Sequence, residues 1–303
     1  MGVGKLFEKI KGNKKQNEWL FPLLVERLNT SEDAGIQGPE TWFSISSIST
    51  LCPRAVVMAY RMKIPMVKET SAQSQWTLDR GTAMHSIIQE RWLGPMGFLL
   101  GGWLCPVCAH THGEDKSEPP FEIYDGPWVT PESSVTMPHE CEKCGHKYHP
   151  IQPFSYIEPW VYNPHVMVRG RTDGILRLHP ASRREFLDIK VTMSLKSVRE
   201  RPWPNNVSQL NWYMEPSKCR RGRLLYVDPS AKLLENAIVE HVVNFNPETM
   251  YREKEMIRGL RETLKDSDKP IPKCPYNGRL PFGDCVCVEM AMFWSNHGSC
   301  PSG

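Results

Sequence analysis

Asp173 lies in the run Gly170-Arg-Thr-Asp-Gly-Ile, a lone carboxylate between apolar strand-forming residues. Downstream, Leu187-Asp188-Ile189-Lys190 adds a second carboxylate and an amine. Side chains alternate along a strand, so Asp188 and Lys190 share one face. Two carboxylates brought together from neighbouring strands are costly unless a cation compensates, and oxygen donors favour Mg2+ or Mn2+. Beside such an ion a lysine could stabilise or help deprotonate an attacking water, while the ion neutralises charge building on a phosphate oxygen. That is the chemistry of phosphodiester hydrolysis. Taken singly, an Asp beside Gly is also a common turn residue, and an Asp-x-Lys pair is also a solvated strand face.

Positioning such groups requires strands braced by helices. Residues 156–163, 166–179 and 184–192 carry β-branched runs broken by turn residues and read as strands with short connections. Upstream, Met84, Ile87, Ile88 and Trp92 recur at helical spacing up to Gly94, which places His85 on a helix. An earlier helix starts from Ser49 or Thr50 as its cap, with Cys52 near its beginning. Helical spacing returns at Asn206–Met214, a strand follows at residues 224–230, and Pro247–Lys265 reads as a charged amphipathic helix. This order indicates a mixed α/β core.

These motifs stand in a recognisable order: Gly81-Thr-Ala-Met-His85, then the Asp173 and Asp188/Lys190 runs, then Gln209-Leu-Asn-Trp-Tyr213. Over roughly residues 45–300 the chain resembles the RecB-type branch of the PD-(D/E)XK nucleases. The resemblance implies a restriction-endonuclease-like α/β fold, with a mixed central sheet flanked by helices. It implies an Mg2+- or Mn2+-dependent deoxyribonuclease, an exonuclease acting at DNA ends or on single strands. His85, Asp173 and Asp188 would bind the ion together with the Ile189 carbonyl, and Lys190 would be the catalytic lysine. Gln209 and Tyr213, one helical turn apart and so on one face, would hold DNA or orient that lysine.

Cys105-Pro-Val-Cys108 and Cys141-Glu-Lys-Cys144 are two Cys-x2-Cys knuckles with thirty-two residues between them. Each aims two sulfurs at one point, and together they complete the tetrahedral thiolate shell of a structural zinc. His110, His112, His139, His146 and His149 are possible substitutes. The Gly-, Pro- and His-rich texture of 97–153 reads as an inserted zinc ribbon, serving either as a contact for DNA or a partner or as a strut. Cys274, Cys285, Cys287 and Cys300 crowd the end of the chain, far from Cys52. This layout resembles the iron-sulfur subset of RecB-type nucleases, in which one early cysteine and three late ones hold a 4Fe-4S cluster. The resemblance favours Cys52, Cys274 and Cys285, with Cys300 and Cys287 competing for the fourth position. Zinc or free buried thiols are the alternatives.

At 303 residues, with 40% apolar and 23% charged side chains, the chain is long enough for a sizeable core, and its composition excludes wholesale disorder or a rod. The expected organisation is a basic segment at 1–40, a nuclease core at 41–96 and 154–303, and the zinc-binding module between. The longest uncharged stretch, Trp92 to Ala109, is too broken by Pro and Gly to span a membrane. The amino terminus lacks a secretory pattern, which points to a reducing cytoplasm. The net charge of +3 decides nothing alone. From Arg183 to Arg223, however, ten Lys or Arg face four acids, a local charge of +6. With Trp203, Trp212 and Tyr213 interleaved, this stretch could track a phosphate backbone and stack bases.

The chain carries no Gly-x4-Gly-Lys-Ser/Thr loop, so unwinding would need a helicase or recombination partner. Stand-alone nucleases of the resembled kind occur in CRISPR adaptation and in bacteriophages, which places this one in a bacterial cytoplasm, host- or virus-encoded. The rival functions are a non-catalytic nucleic-acid-binding or assembly protein on the same fold, and a redox or metal sensor built on the cysteines.

Overall fold

The computed structural model describes residues 30–33, 36–49, 51–63, 67–117, 126–178, 183–272, 279–280 and 283–284. The basic segment up to residue 29 and Cys274, Cys285, Cys287 and Cys300 lie outside them. The described elements form a mixed α/β molecule. Its first strands and helices are β1 (Thr30–Asp33), β2 (Phe43–Ser44), α1 (Ile45–Ile48), α2 (Pro53–Met62), β3 (Val67–Thr70) and α3 (Ala72–Ser86). Strands β4 (Leu99–Leu104), β5 (Thr111–His112), β6 (Val135–Thr136), β7 (Ser155–Ile157), β8 (Trp160–Asn163), β9 (Val168–Arg171), β10 (Gly174–Leu176) and β11 (Glu185–Val191) follow. Helix α4 (Pro204–Met214), β12 (Arg221–Val227), β13 (Ile238–Asn244) and α5 (Pro247–Lys265) complete the core.

The central sheet runs β13-β12-β11-β10-β4-β5, with β6 and β7 also paired to β4. Only β11 and β12 among these pairs run parallel; α4 supplies the crossover that a parallel pair requires. β4, β10 and β11 are antiparallel neighbours, with Gly174 opposite Leu187 and Ile175 opposite both Phe186 and Leu100. Residues 99–104, inside the stretch expected to form the zinc module, thus supply a strand of the central sheet. Strands β2, β9 and β8 make a smaller second sheet.

β11 is covered on both sides, which explains its near-continuous apolar run. Phe186 packs into one core with Leu210, Trp212, Leu224, Tyr226 and Ile257. Leu187 and Ile189 point the other way, into a core with Ile88, Leu99, Trp103, Cys105, Cys141 and Phe154. α4 is buried almost all round, and its polar groups are satisfied in place. Asn206 donates to the Tyr226 hydroxyl (2.8 Å), while Ser208 and the Trp212 indole both donate to Glu253 (2.8 and 2.6 Å). α5 buries Met250, Ile257, Leu260 and Leu264 at helical spacing and starts at Asn246, whose side chain caps Glu248 and Thr249.

Two helix expectations change. The second helix begins at Pro53 with Cys52 as its N-cap, not at Ser49 or Thr50, because proline suits the first helical position and a separate short helix, α1, precedes it. After Ser86, α3 widens into a π-helical turn over Ile87–Leu93, marked by the Gly94 N–H donating to Gln89 O. The extra residue in that turn rotates Trp92 outward, leaving it 41% exposed, although its spacing predicts a buried face. No helix among the described residues is long and apolar enough to cross a membrane.

Candidate active site

Asp173 stands two residues after β9 and immediately before β10, so the β9–β10 connection carries it to the middle of β11. There its Oδ2 accepts the Ile189 N–H. Asp188 points to the α4 side of β11 and is fully buried. Its Oδ1 accepts from Lys190 Nζ at 3.0 Å, and its Oδ2 has no hydrogen-bond partner. Lys190 Nζ also donates to Gln209 Oε1 at 3.0 Å, and Gln209 Nε2 donates to the Tyr213 hydroxyl at 3.1 Å. The helical-turn spacing therefore makes Gln209 and Tyr213 a brace for the lysine. Tyr213, only 2% exposed, does not face a ligand.

From the other side, α3 delivers His85, whose Nδ1 stands 3.6 Å from Asp173 Oδ1. Glu158, in the β7–β8 connection, joins them: one donor atom each from His85, Glu158 and Asp173 lies within 4.8 Å of the others. Asp188 stands beside this set rather than within it, held by Lys190. Gln89 organises the acids, donating to Glu158 Oε1 (3.2 Å) and to the Asp173 carbonyl (2.8 Å). The sequence reasoning missed Glu158 and Gln89. Gln89 had a weak signal, as a polar residue next to Ile88 on the expected buried side of the helix. Glu158 had none, since a Glu two residues before a strand is ordinary. A cleft of about 530 Å3 opens onto His85, Gln89, Glu158 and Arg171. At its rim the Arg171 guanidinium lies 4.6 Å from the Trp160 ring centre.

The charges are mutually tuned. Burial, then the Asp188 and Glu158 charges, raise Asp173 well above the usual carboxylate range, with Lys190 opposing. Burial also raises Glu158, against the Gln89 hydrogen bond, and raises Asp188, against Lys190. Burial would lower Lys190, but Asp188 and Asp173 outweigh it and its amine is raised, hence cationic at neutral pH. Burial and the nearby Lys190 charge hold His85 down at about 4, with a backbone hydrogen bond to Ile189 pulling the other way. His85 is thus neutral near pH 7 and able to donate a lone pair.

This donor set fits a hard or borderline divalent cation. One buried and two half-buried carboxylates carry, when ionised, more negative charge than one lysine offsets, an imidazole is neutral beside them, and Asp188 Oδ2 is an orphaned buried acceptor. Asp-x-Lys on one strand face is therefore not solvated here, and Asp173 is not a surface turn residue.

The four knuckle cysteines also converge, with all four sulfurs within 4.8 Å of one another. Cys105 and Cys144 stand 3.6 Å apart, as do Cys108 and Cys141. The two knuckles repeat one backbone pattern: the N–H of Cys105 or Cys141 donates five residues ahead, to His110 or His146, and its carbonyl accepts from Ala109 or Gly145. Both accepting turns end on a positive φ, 54° at Ala109 and 74° at Gly145. None of the five candidate histidines enters the sulfur set. His110, His112 and Glu142 form a separate group beside it.

Comparison with protein-family descriptions and with curated proteins finds no match. Among solved structures, an alkaline exonuclease from Laribacter hongkongensis, LHK-Exo, is similar at 10% identity and a TM-score of 0.31, over 35% of this chain and 55% of that one. The chain thus spans about half the length of that protein. A crystal structure of SSO0001 is similar at 13% identity and a TM-score of 0.37, over 83% of this chain and 88% of that one. TM-scores this low carry no argument about fold or activity.

Proposed function

We propose that this protein is a divalent-metal-dependent nuclease that hydrolyses phosphodiester bonds in DNA, at ends or in single strands. The observation that carries the reading is the Asp188–Lys190–Gln209–Tyr213 hydrogen-bond chain beside the clustered donors of His85, Asp173 and Glu158, with His85 and Glu158 opening onto a cleft. The topology supports it: a helix bearing His85, three antiparallel strands, a crossover helix and a parallel strand follow the order expected of a restriction-endonuclease-like core.

In this reading His85, Asp173 and Glu158, with Asp188 and the Ile189 carbonyl, hold Mg2+ or Mn2+, which supplies Lewis-acid stabilisation of charge on the scissile phosphate. Lys190, kept cationic and aimed by Asp188 and Gln209, stabilises negative charge on the attacking water or the phosphate oxygens. Gln89 holds the acids in place. Arg171 at the cleft rim meets the incoming backbone. The knuckle cysteines hold a structural zinc, which leaves no open position for catalysis. Cys52 with late cysteines holds a 4Fe-4S cluster, closing the chain around the core. Residues between β4 and β7 act as the zinc-bearing insertion, and a partner protein supplies any unwinding.

The test is incubation of end-labelled single- and double-stranded DNA with Mg2+ or Mn2+, using substrates blocked at either end. Parent protein should degrade DNA, and Lys190→Ala and Asp188→Ala should lose on the order of 10²-fold or more in rate. Equal degradation by parent and variants would overturn the assignment.

A further inference from the structure

The ten cations behind the local +6 charge from Arg183 to Arg223 do not act alike. Arg221 and Arg223 both pair with the buried Glu185, and Arg223 also with Glu240, while Lys190 belongs to the catalytic cleft. Trp212 and Tyr213 are buried at 0% and 2%, so they stack on no base. Of the seven exposed cations that remain, Lys196, Arg199 and Arg201 lie outside one recess, while Arg183, Arg184, Lys218 and Arg220 surround it. None forms an ion pair with another described residue. The recess has a volume of about 400 Å3 and an apolar floor that includes Phe186 and Ile175; Glu132 is the acid on its wall.

The rim is built, not loose. Arg184 donates to the Pro131 carbonyl at 2.6 Å, and its own carbonyl accepts from the Cys219 thiol at 3.0 Å. Lys218 is held at φ 52°, a left-handed conformation that costs a non-glycine residue energy and persists only where the surroundings impose it. Here the turn closing α4 imposes it, through the Lys218 N–H to Glu215 O and the Cys219 N–H to Met214 O. The recess sits at the start of β11. Lys190 lies four residues further along that strand, about 13 Å away at ~3.3 Å per residue.

We propose that this recess is a second nucleic-acid site, binding backbone phosphates of a strand whose scissile bond lies in the catalytic cleft. It rests on the nuclease reading for its biological sense but not for its test. Uncompensated cations around a recess of nucleotide size suit phosphates, and they carry no base-reading geometry, so the site is indifferent to sequence.

The experiment measures Kd for a fluorescent single-stranded oligonucleotide against salt, in Ca2+, with the full chain. The triple variant Arg183→Gln, Lys218→Gln, Arg220→Gln is compared with Arg252→Gln, Lys265→Gln, exposed cations on α5. In parallel, hydrolysis of bis(p-nitrophenyl) phosphate, too small to reach both sites, is followed in Mn2+. The triple variant should bind at least about tenfold more weakly, with a salt slope shallower by about 2, as expected for three lost phosphate contacts at ~0.7 each. The α5 variant should match the parent. Unchanged affinity and slope in the triple variant, equal losses in the α5 variant, or no binding by the parent would each overturn the proposal. Loss of small-substrate hydrolysis in the parent, with the binding difference intact, would instead sink the nuclease reading alone.

Discussion

Asp173 carries most of the site's electrostatic burden. Enclosed by burial and flanked by Asp188 and Glu158, its ionised form is disfavoured in the folded, metal-free protein, while its oxygens still accept the Ile189 N–H. Asp173→Asn keeps an acceptor for that N–H and cannot ionise, so it relieves repulsion at alkaline pH, where the carboxylate would otherwise carry charge. The metal-free melting temperature there should rise by roughly 2–4 °C for each kcal/mol of repulsion relieved, while cleavage falls on the order of 10²-fold or more. Calorimetry in a chelator and the labelled-DNA assay read the two together. A lower melting temperature would show that the carboxylate cluster is not under charge strain. The same groups dictate a pH dependence. Raised carboxylate pKa values mean that the native state binds more protons than the unfolded chain, so stability in chelator should increase as pH falls toward 6.5, the ordinary histidine value. Below it His85, held down at about 4 in the fold, works oppositely: the unfolded chain takes up its proton first, which offsets part of the carboxyls' gain and flattens the rise. Stabilisation by added Mn2+ should grow with pH, because the ion competes with those protons. Thermal melts across pH with and without Mn2+ check both slopes.

At the scale of elements, the Arg261 side chain of α5 ties that helix to the segments flanking the small sheet. Arg261, 8% exposed, donates from Nε to the Val166 carbonyl (3.0 Å) and from Nη2 to those of Thr41 (2.8 Å) and Met167 (3.0 Å). Its guanidinium also lies 4.7 Å from the Phe43 ring centre. Arg261→Ala strands several carbonyls in the interior, and should cost about 2–4 kcal/mol in urea denaturation. Arg261→Lys should recover little, because an ammonium cannot reproduce the planar fork. A small loss in either would mean that water replaces the guanidinium. The amphipathic pattern of α5 was legible in advance because Met250, Ile257 and Leu264 recur at the helical period. The π turn was not, because it depends on Gln89 reaching Asp173 and Glu158 rather than on any local preference. Within it, period counting fails at Trp92.

Across the whole molecule, the four-cysteine cluster and the candidate active site are not independent. Cys105 continues directly from β4, and Cys105 and Cys141 pack in the same core as Leu187 and Ile189, which flank Asp188 on β11. On the proposed zinc reading, losing the ion that the knuckles hold should therefore reach the candidate site. Cys105→Ser, or prolonged treatment with a strong zinc chelator, is expected to lower the melting temperature by more than 10 °C, given apparent structural-zinc binding energies of roughly 10–16 kcal/mol in small modules. It should also depress cleavage in excess Mn2+. Metal analysis of the purified protein should find one zinc lost with Cys105→Ser. Full stability and activity in that variant would make the module a separate appendage.

What the amino-acid order determined by itself was local: a carboxylate and an amine on one face of a strand, cysteines two apart that must aim at a common point, and a Gln and a Tyr one helical turn apart. Strand alternation and helical pitch act between near neighbours, so those relations survive whatever the rest of the chain does. The tertiary structure alone decided which distant groups meet. It brought Glu158 from the β7–β8 connection to His85 and Asp173, turned Tyr213 inward to brace Gln209, buried Trp212 against Glu253, and neutralised Arg221 and Arg223 with Glu185. Each of those outcomes depends on sheet register and on which face a crossover helix covers. Such terms arise from packing summed over the whole core, and no short window of sequence contains them.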